Sequence, residues 1–276
     1  MIVYILTDYH NDTRLEHLTS MIPAYCKCNV KVVTNIDNLD INKDVIISTS
    51  VEGQFPIFKK FVKNNVYEML NDKVSFYNFL KKNPHLIEEI ELIPSYDHSY
   101  KGPTITKDFL IKQKDGWSSK YNDIVNANIY HLIEKYAITH QIQDIIDVKH
   151  IFGVSLTVLF GKILGIYSYK SFEGLTPELN LEGFSAIRGN TIRDVRIRLF
   201  LKKIIKKLNF YGIIEFEFLI DKNDKLYIME CNPRISGSLR VSLYFNNIIK
   251  TYINAIHTQE FNGINIDDET LWKEYK

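Results

Sequence analysis

Two β-rich runs, Tyr211 to Asp221 and Leu226 to Asn232, flank the turn-forming segment Lys222-Asn-Asp-Lys225, and this pairing constrains the chain more than any other feature. If Asn223 and Asp224 form a two-residue hairpin loop, Glu217 lies directly opposite Glu230 and Glu215 opposite Asn232. Residues so opposed share a sheet face with Cβ atoms roughly 4.5–5.5 Å apart, and facing like charges are destabilising unless something compensates them. A hard divalent cation would do so. Magnesium takes a few carboxylate oxygens and completes its octahedron with waters and substrate phosphates, so two glutamates and an asparagine oxygen suit it, and manganese is acceptable in its place. Arg234, just past the strand end, could offer planar donors to phosphate oxygens. The competing reading is a register one residue off, which turns the two glutamates to opposite faces and leaves an exposed acidic hairpin.

Upstream, short β-branched runs (Ile2 to Thr7, Val30 to Thr34, Val45 to Thr49) alternate with helix-like stretches, the rhythm of a small parallel α/β lobe over residues 1–72. It holds no G-x-G-x-x-G, so dinucleotide binding has no support there. A helix is expected over Asn71 to Lys82, and Pro84, Pro94, Gly102 and Pro103 mark residues 73–103 as a connection ending irregularly. A compact α+β unit over 104–167 follows: a strand over Asp108 to Gln113, a loop over Lys114 to Ser119, a helix from Asp123 to Tyr136, then strands Thr139 to Ile146 and Ile151 to Phe160. Residues 168–276 form the last lobe, with a helix over Thr191 to Leu208 whose apolar positions include Ile192, Val195, Leu199, Ile204 and Ile205 and whose other face is basic. Such a basic face is more often solvated than a nucleic-acid site.

With 45% hydrophobic residues in a chain of 276, a substantial core is available without staples. A net charge of +1 gives no bulk attraction for nucleic acid or an anionic membrane. Cys26, Cys28 and Cys231 read as thiols in a reducing compartment, and no run of roughly 18 apolar residues suggests a membrane span, so a cytoplasmic location is expected. Oligomeric state is open, a homodimer included.

The hairpin resembles that of the ATP-grasp superfamily, in the matching segments Glu217-Phe-Leu-Ile and Leu226-Tyr-Ile-Met-Glu-Cys-Asn-Pro-Arg234. The resemblance implies an ATP-grasp fold behind a small N-terminal α/β lobe, with Glu217, Glu230 and Asn232 on magnesium and Arg234 facing the transferred phosphate. Further landmarks follow in the family's order. Asp72-Lys73 resembles the start of the central region, whose lysine meets nucleotide phosphate, and Phe109-Leu-Ile-Lys112 the strand with the second phosphate lysine. Asp115-Gly-Trp-Ser-Ser119 stands in the place of the phosphate lid loop, which makes Ser118 and Ser119 candidates. Gln141 to Ile146 resembles the strand that reads adenine, with Gln143, Asp144 and Ile146 as candidates. Arg188 is a candidate for binding phosphate or carboxylate. The activity implied is ATP-dependent activation of a small-molecule carboxylate as an acyl phosphate for attack by an amine. A carbamoyl-phosphate-synthase-like reaction on bicarbonate and ammonia, or a nucleotide-binding module without turnover, are the alternatives.

Overall fold

The computed structural model describes residues 1–7, 13–40, 44–48, 66–114, 122–170, 194–235, 245–258 and 263. Among these residues the strands form three sheets. The first is the expected parallel one. β1 (Ile2–Leu6) lies between β2 (Asn29–Val33) and β3 (Val45–Ser48), and α1 (Thr13–Cys26) makes the first crossover. β3 is buried along its whole length, which is why it reads as an unbroken apolar run.

The helix expected from Asn71 is two helices, α2 (Val66–Asn71) and α3 (Lys73–Lys82), broken where the Asp72 carboxylate accepts from the Ser75 amide at 2.6 Å. Asp72 therefore serves as the N-cap that puts Lys73 in the first turn of α3. The connection that follows is more ordered than its prolines suggest. It carries two short strands, β4 (Glu91–Leu92) and β5 (Ser95–Tyr96), which join different sheets.

The small antiparallel sheet runs β5-β8-β6-β7, with β6 (Thr106–Gln113), β7 (Asp123–Asn128) and β8 (His140–Asp144). The helix expected from Asp123 begins only at Ile129, as α4 (Ile129–Tyr136). Residues 123–128 instead pair with β6, Ile111 opposite Asp123 through Thr106 opposite Asn128. Ile124 and Val125 are β-branched, Val125 and Ala127 alternate onto the small core, and Asn128 turns strand into helix by accepting from the Tyr130 amide at 2.9 Å. Asn128→Ala should therefore cost ~1 kcal/mol of stability, read as a lower urea midpoint with unchanged slope.

The large sheet runs β10-β9-β11-β12-β4. β9 (Val148–Leu159), expected at Ile151 to Phe160 within the preceding lobe, pairs here with β11 (Gly212–Asp221), which pairs in turn with β12 (Leu226–Asn232), and β10 (Lys162–Lys170), not expected as a strand, pairs with the other edge of β9. One face of this sheet is aromatic. Phe216 meets Phe76 of α3 at 6.3 Å and Phe200 of α5 (Val195–Leu208) at 5.5 Å, and Phe200 also meets Phe218 at 5.7 Å. Helix α5 buries Ile197, Phe200, Leu201, Ile204, Ile205 and Leu208, whereas Val195 (53% exposed) and Leu199 (39%), expected on the apolar face, point outward. Ile204 and Ile205 are buried as expected; the stripe they belong to runs at helical spacing from Ile197 through Leu201 to Leu208, and Val195 and Leu199 lie off it, while Ile192 is outside the described residues. α6 (Phe245–Thr258) packs on the opposite sheet face and reaches the first sheet, where the Tyr252 hydroxyl donates to the Ile46 carbonyl at 3.3 Å.

The buried side chains form two cores among the described residues. The larger joins the first and large sheets to α1, α2, α3, α5 and α6. The smaller is built from β6, β8, α4 and Ala137 just past it, with Tyr96 of β5 and Val125 and Ala127 of β7 packed against them.

Candidate active site

The carboxylate pair stands where the hairpin argument puts it, by a different route. The turn is a three-residue loop, not two: the Asp221 amide bonds the Lys225 carbonyl, and Asp224 takes a left-handed conformation at φ 61°. That shifts the ladder by one residue, pairing Phe218 with Ile228. A bulge at Met229 then restores it, so that Glu217 faces Glu230, Phe216 faces Cys231 and Glu215 faces Asn232. The bulge lets Ile228 and Cys231, three positions apart, both reach the buried core while Glu230 and Asn232 stay on the site face.

On that face the Asn232 amide donates to Glu217 Oε1 at 3.0 Å and Glu230 Oε1 at 3.3 Å, and its Oδ1 accepts from Arg234 Nη2 at 3.0 Å. Lys73 Nζ lies 3.7 Å from Glu230 Oε2. On β9, Gly153 lies opposite Glu217, adding no side chain beside it, and the Ser155 hydroxyl donates to the buried Glu215 at 2.7 Å.

Across from this face stands Lys112 of β6, 5% exposed. The small sheet has two unlike sides: Phe109, Ile111 and Ile142 pack on α4, while Leu110, Lys112, Gln141 and Gln143 alternate onto the other. Burial pushes the Lys112 ammonium below its ordinary pKa; Glu230 and Glu217 oppose that shift and Lys73 adds to it. Burial, with the negative charges of Glu230 and Glu215, pushes Glu217 well above the carboxylate range. Burial acts on Glu230 in the same sense, but Lys73, Lys112, the Asn232 amide and Arg234 outweigh it and hold Glu230 low. The site thus gathers facing acids and converging cations from both sheets.

The donor set fits a hard cation. It is all oxygen once the Asn232 amide turns over; as it stands, the Asn232 N–H₂ group donates to both carboxylates, so one oxygen of each converges on a single point. Among the described residues no three His, Cys, Asp or Glu side chains form a cage for a metal, and magnesium commonly draws its remaining ligands from phosphates and water.

Of the expected nucleotide residues, Lys73 and Lys112 meet at the carboxylates and Gln143 is fully buried on the cleft side. Asp144 is held by the Tyr96 hydroxyl at 2.9 Å and Lys107 at 2.8 Å, and Ile146 packs on the larger core. Ser118, Ser119 and Arg188 lie outside the described residues. Two polar residues were missed. Glu215 sits on the site face two positions from Glu217, and Gln141 shares a ladder rung with Lys112. The signal for both was present, as polar residues alternating with apolar ones along buried strands.

No family model matches the sequence, and no curated protein matches it. Solved structures do match in fold. An ADP complex of N5-carboxyaminoimidazole synthetase from Staphylococcus aureus aligns over 95% of this chain and 78% of its own, at TM-score 0.62 and 16% identity. N5-carboxyaminoimidazole ribonucleotide synthetase from Thermotoga maritima aligns over 92% and 76%, at TM-score 0.56 and 13% identity. D-alanyl-alanine synthetase A from Vibrio cholerae aligns over 94% and 98%, at TM-score 0.58 and 12% identity. With the carboxylates of the large sheet opposed by a lysine of the small one, and with these matches in fold over more than nine-tenths of its length, the chain has the ATP-grasp fold.

Proposed function

We propose that the chain is an ATP- and magnesium-dependent ligase that activates a carboxylate as an acyl phosphate and joins it to an amine, releasing ADP and phosphate. The observation that carries this reading is the facing pair Glu217 and Glu230, bridged by Asn232 and opposed by Lys112. The structures it resembles include a synthetase in complex with ADP and D-alanyl-alanine synthetase A.

Glu217, Glu230 and Asn232 would hold the cation. Bound there, magnesium would neutralise phosphate oxygens as charge develops in transfer. The rest falls to the chain's own groups. Lys73 and Lys112 supply charge from two elements, so a triphosphate between them is gripped from both sides of the cleft. Arg234, which donates to Asn232 Oδ1 in the cation-free chain, would be released from that bond when the amide turns to the cation, leaving its donors for a transferred phosphoryl group carrying negative charge. Phosphoryl transfer needs no side-chain nucleophile; positioning and charge stabilisation provide the catalysis. The substrates would be small molecules, and the acid would attack the γ-phosphorus through its own oxygen.

The test is a panel of carboxylic acids and amines incubated with magnesium and ATP, read as ADP release and product mass. The expected result is ADP formed only when a particular acid and amine are both present. ADP released with bicarbonate and ammonia alone would replace this reading with a carbamoyl-phosphate-type reaction. Tight binding of ATP without ADP from any pair would leave a binding module in place of an enzyme.

A further inference from the structure

The β12 bulge that brings Glu230 opposite Glu217 has a side chain fastened to it. Tyr77 is buried, and its hydroxyl donates to the Ile228 carbonyl at 2.7 Å. Ile228 is where two ladders change. Its pairing with Leu92 is the last between β12 and β4, and its pairing with Phe218 is followed by the one-residue slip at Met229. A bulge leaves its extra residue unpaired and the ladder disrupted, so the backbone there relaxes unless another group holds it. The Tyr77 hydroxyl supplies that hold, two residues before Glu230.

The hydroxyl comes from the same face of α3 as Lys73, one turn further along, and Lys73 Nζ lies 3.7 Å from Glu230 Oε2. Helix α3 thus meets β12 on both sides of Met229, at Ile228 through a hydrogen bond and at Glu230 through a charge. Burial, reinforced by Glu230 and opposed by Gln143 and the Ile93 amide, raises the phenol above its ordinary pKa, so it stays a donor at neutral pH. Phenylalanine would serve the packing alone, as the buried Phe76 beside it does. What the hydroxyl adds is its grip on the backbone next to the metal-facing acid. We propose that Tyr77 is a positioning residue for the divalent cation: its hydroxyl fixes the Met229 bulge, and with it the placing of the Glu230 carboxylate toward Glu217. This rests on the metal site of the ligase reading above and adds to it a residue that touches neither metal nor nucleotide.

Tyr67 supplies the control. Its hydroxyl, equally buried, donates to the Tyr211 carbonyl at 2.7 Å, just ahead of β11 and away from the facing acids. The experiment titrates manganese(II) into the full chain with a non-hydrolysable ATP analogue, reading free manganese by electron paramagnetic resonance, and melts each protein without metal. Tyr77→Phe and Tyr67→Phe should both melt about 2–6 °C below wild type, each having left a buried carbonyl without its donor. Only Tyr77→Phe should bind manganese more weakly, by about tenfold. Tyr77→4-aminophenylalanine puts an N–H donor at the same point of the ring and should bring the affinity back to within about twofold of wild type. If the phenylalanine variant fails to fold, the aminated one carries the test. Wild-type affinity in Tyr77→Phe, an equal loss in Tyr67→Phe, or no recovery with the aminated ring would overturn the assignment while leaving the metal site intact. Wild-type protein that binds no manganese would overturn the metal site of the ligase reading and this inference together.

Discussion

Replacing Glu217 by glutamine should make the metal-free chain more stable at neutral pH, while replacing Glu230 by glutamine should make it less stable, although both variants lose turnover by about a hundredfold or more. The opposite signs follow from unequal surroundings of the two acids. Glu217 is buried beside Glu230 and Glu215, which raises its pKa well above the ordinary 4.5. A raised folded-state value means that the native chain holds this proton more tightly than the unfolded chain. Its contribution to stability is then complete below the ordinary value and lost as pH climbs through the folded one. Glutamine at 217 copies the protonated form and removes that loss. Glu230 is lowered on balance and answers Lys73 at 3.7 Å and the buried Lys112, so glutamine there leaves cations uncompensated. Each change should amount to about 1–2 kcal/mol, or about 3–8 °C in opposite directions by calorimetry without metal at pH 7.5. Magnesium with ATP should stabilise the wild type and neither variant. Melting points moving together, or unchanged stabilisation of the variants by magnesium and ATP, would remove the metal assignment.

Lys112→Met should raise the KM for ATP about tenfold and lower kcat about a hundredfold, with the fold retained. Lys112 extends from the small sheet to the acids of the large one, and a methionine keeps most of its length without the charge. Arginine at this position should restore only part of the loss, because its planar fork does not reproduce a compact ammonium in a site of 5% exposure. Steady-state kinetics identical to wild type in the methionine variant would mean that the lysine is a buried strand residue and no phosphate contact.

The parts of the fold that were legible in the sequence are those where one local rule acts alone. Val45 to Ser48 and the residues of β1 are buried β-branched runs, and they form the parallel sheet as expected. The hairpin shows the limit of such rules. The face shared by Glu217 and Glu230 was read correctly although the loop was read one residue short, because the bulge at Met229 absorbs the difference. A bulge has no side-chain signature of its own in Tyr-Ile-Met-Glu; it follows from the need to bury Ile228 and Cys231 while keeping Glu230 on the other side. Residues 123–128 read as part of the helix in sequence because Val125, Ile129, Leu132 and Ile133 satisfy a helical period as well as two shorter patterns, and tertiary pairing with β6 decides between them. Membership of β9 in the large sheet is a long-range fact, set by its ladder with β11 sixty residues on, from Gly212 opposite Val158 to Asp221 opposite Val148. Lys112 and Glu230 meet across such distances too, and only the family resemblance linked them beforehand.

The two short strands β4 and β5 bear on how the cleft can open. Only Ile93 and Pro94 separate them, one strand belonging to the large sheet and the other to the small, and the chain returns through residues 145–147 between β8 and β9. The outgoing and returning crossings are tied together, since the Asp144 amide donates to the Pro94 carbonyl at 3.0 Å, and the fixed φ of proline stiffens the first of them. The small sheet, with a core of its own, is thus held to the rest at these paired crossings and again at the far end of β6, where the Lys73 amide donates to the Lys114 carbonyl at 3.0 Å. The second tie lies two residues from Lys112, so the same backbone contact that seats Lys73 beside Glu230 fixes the distance between the two lysines.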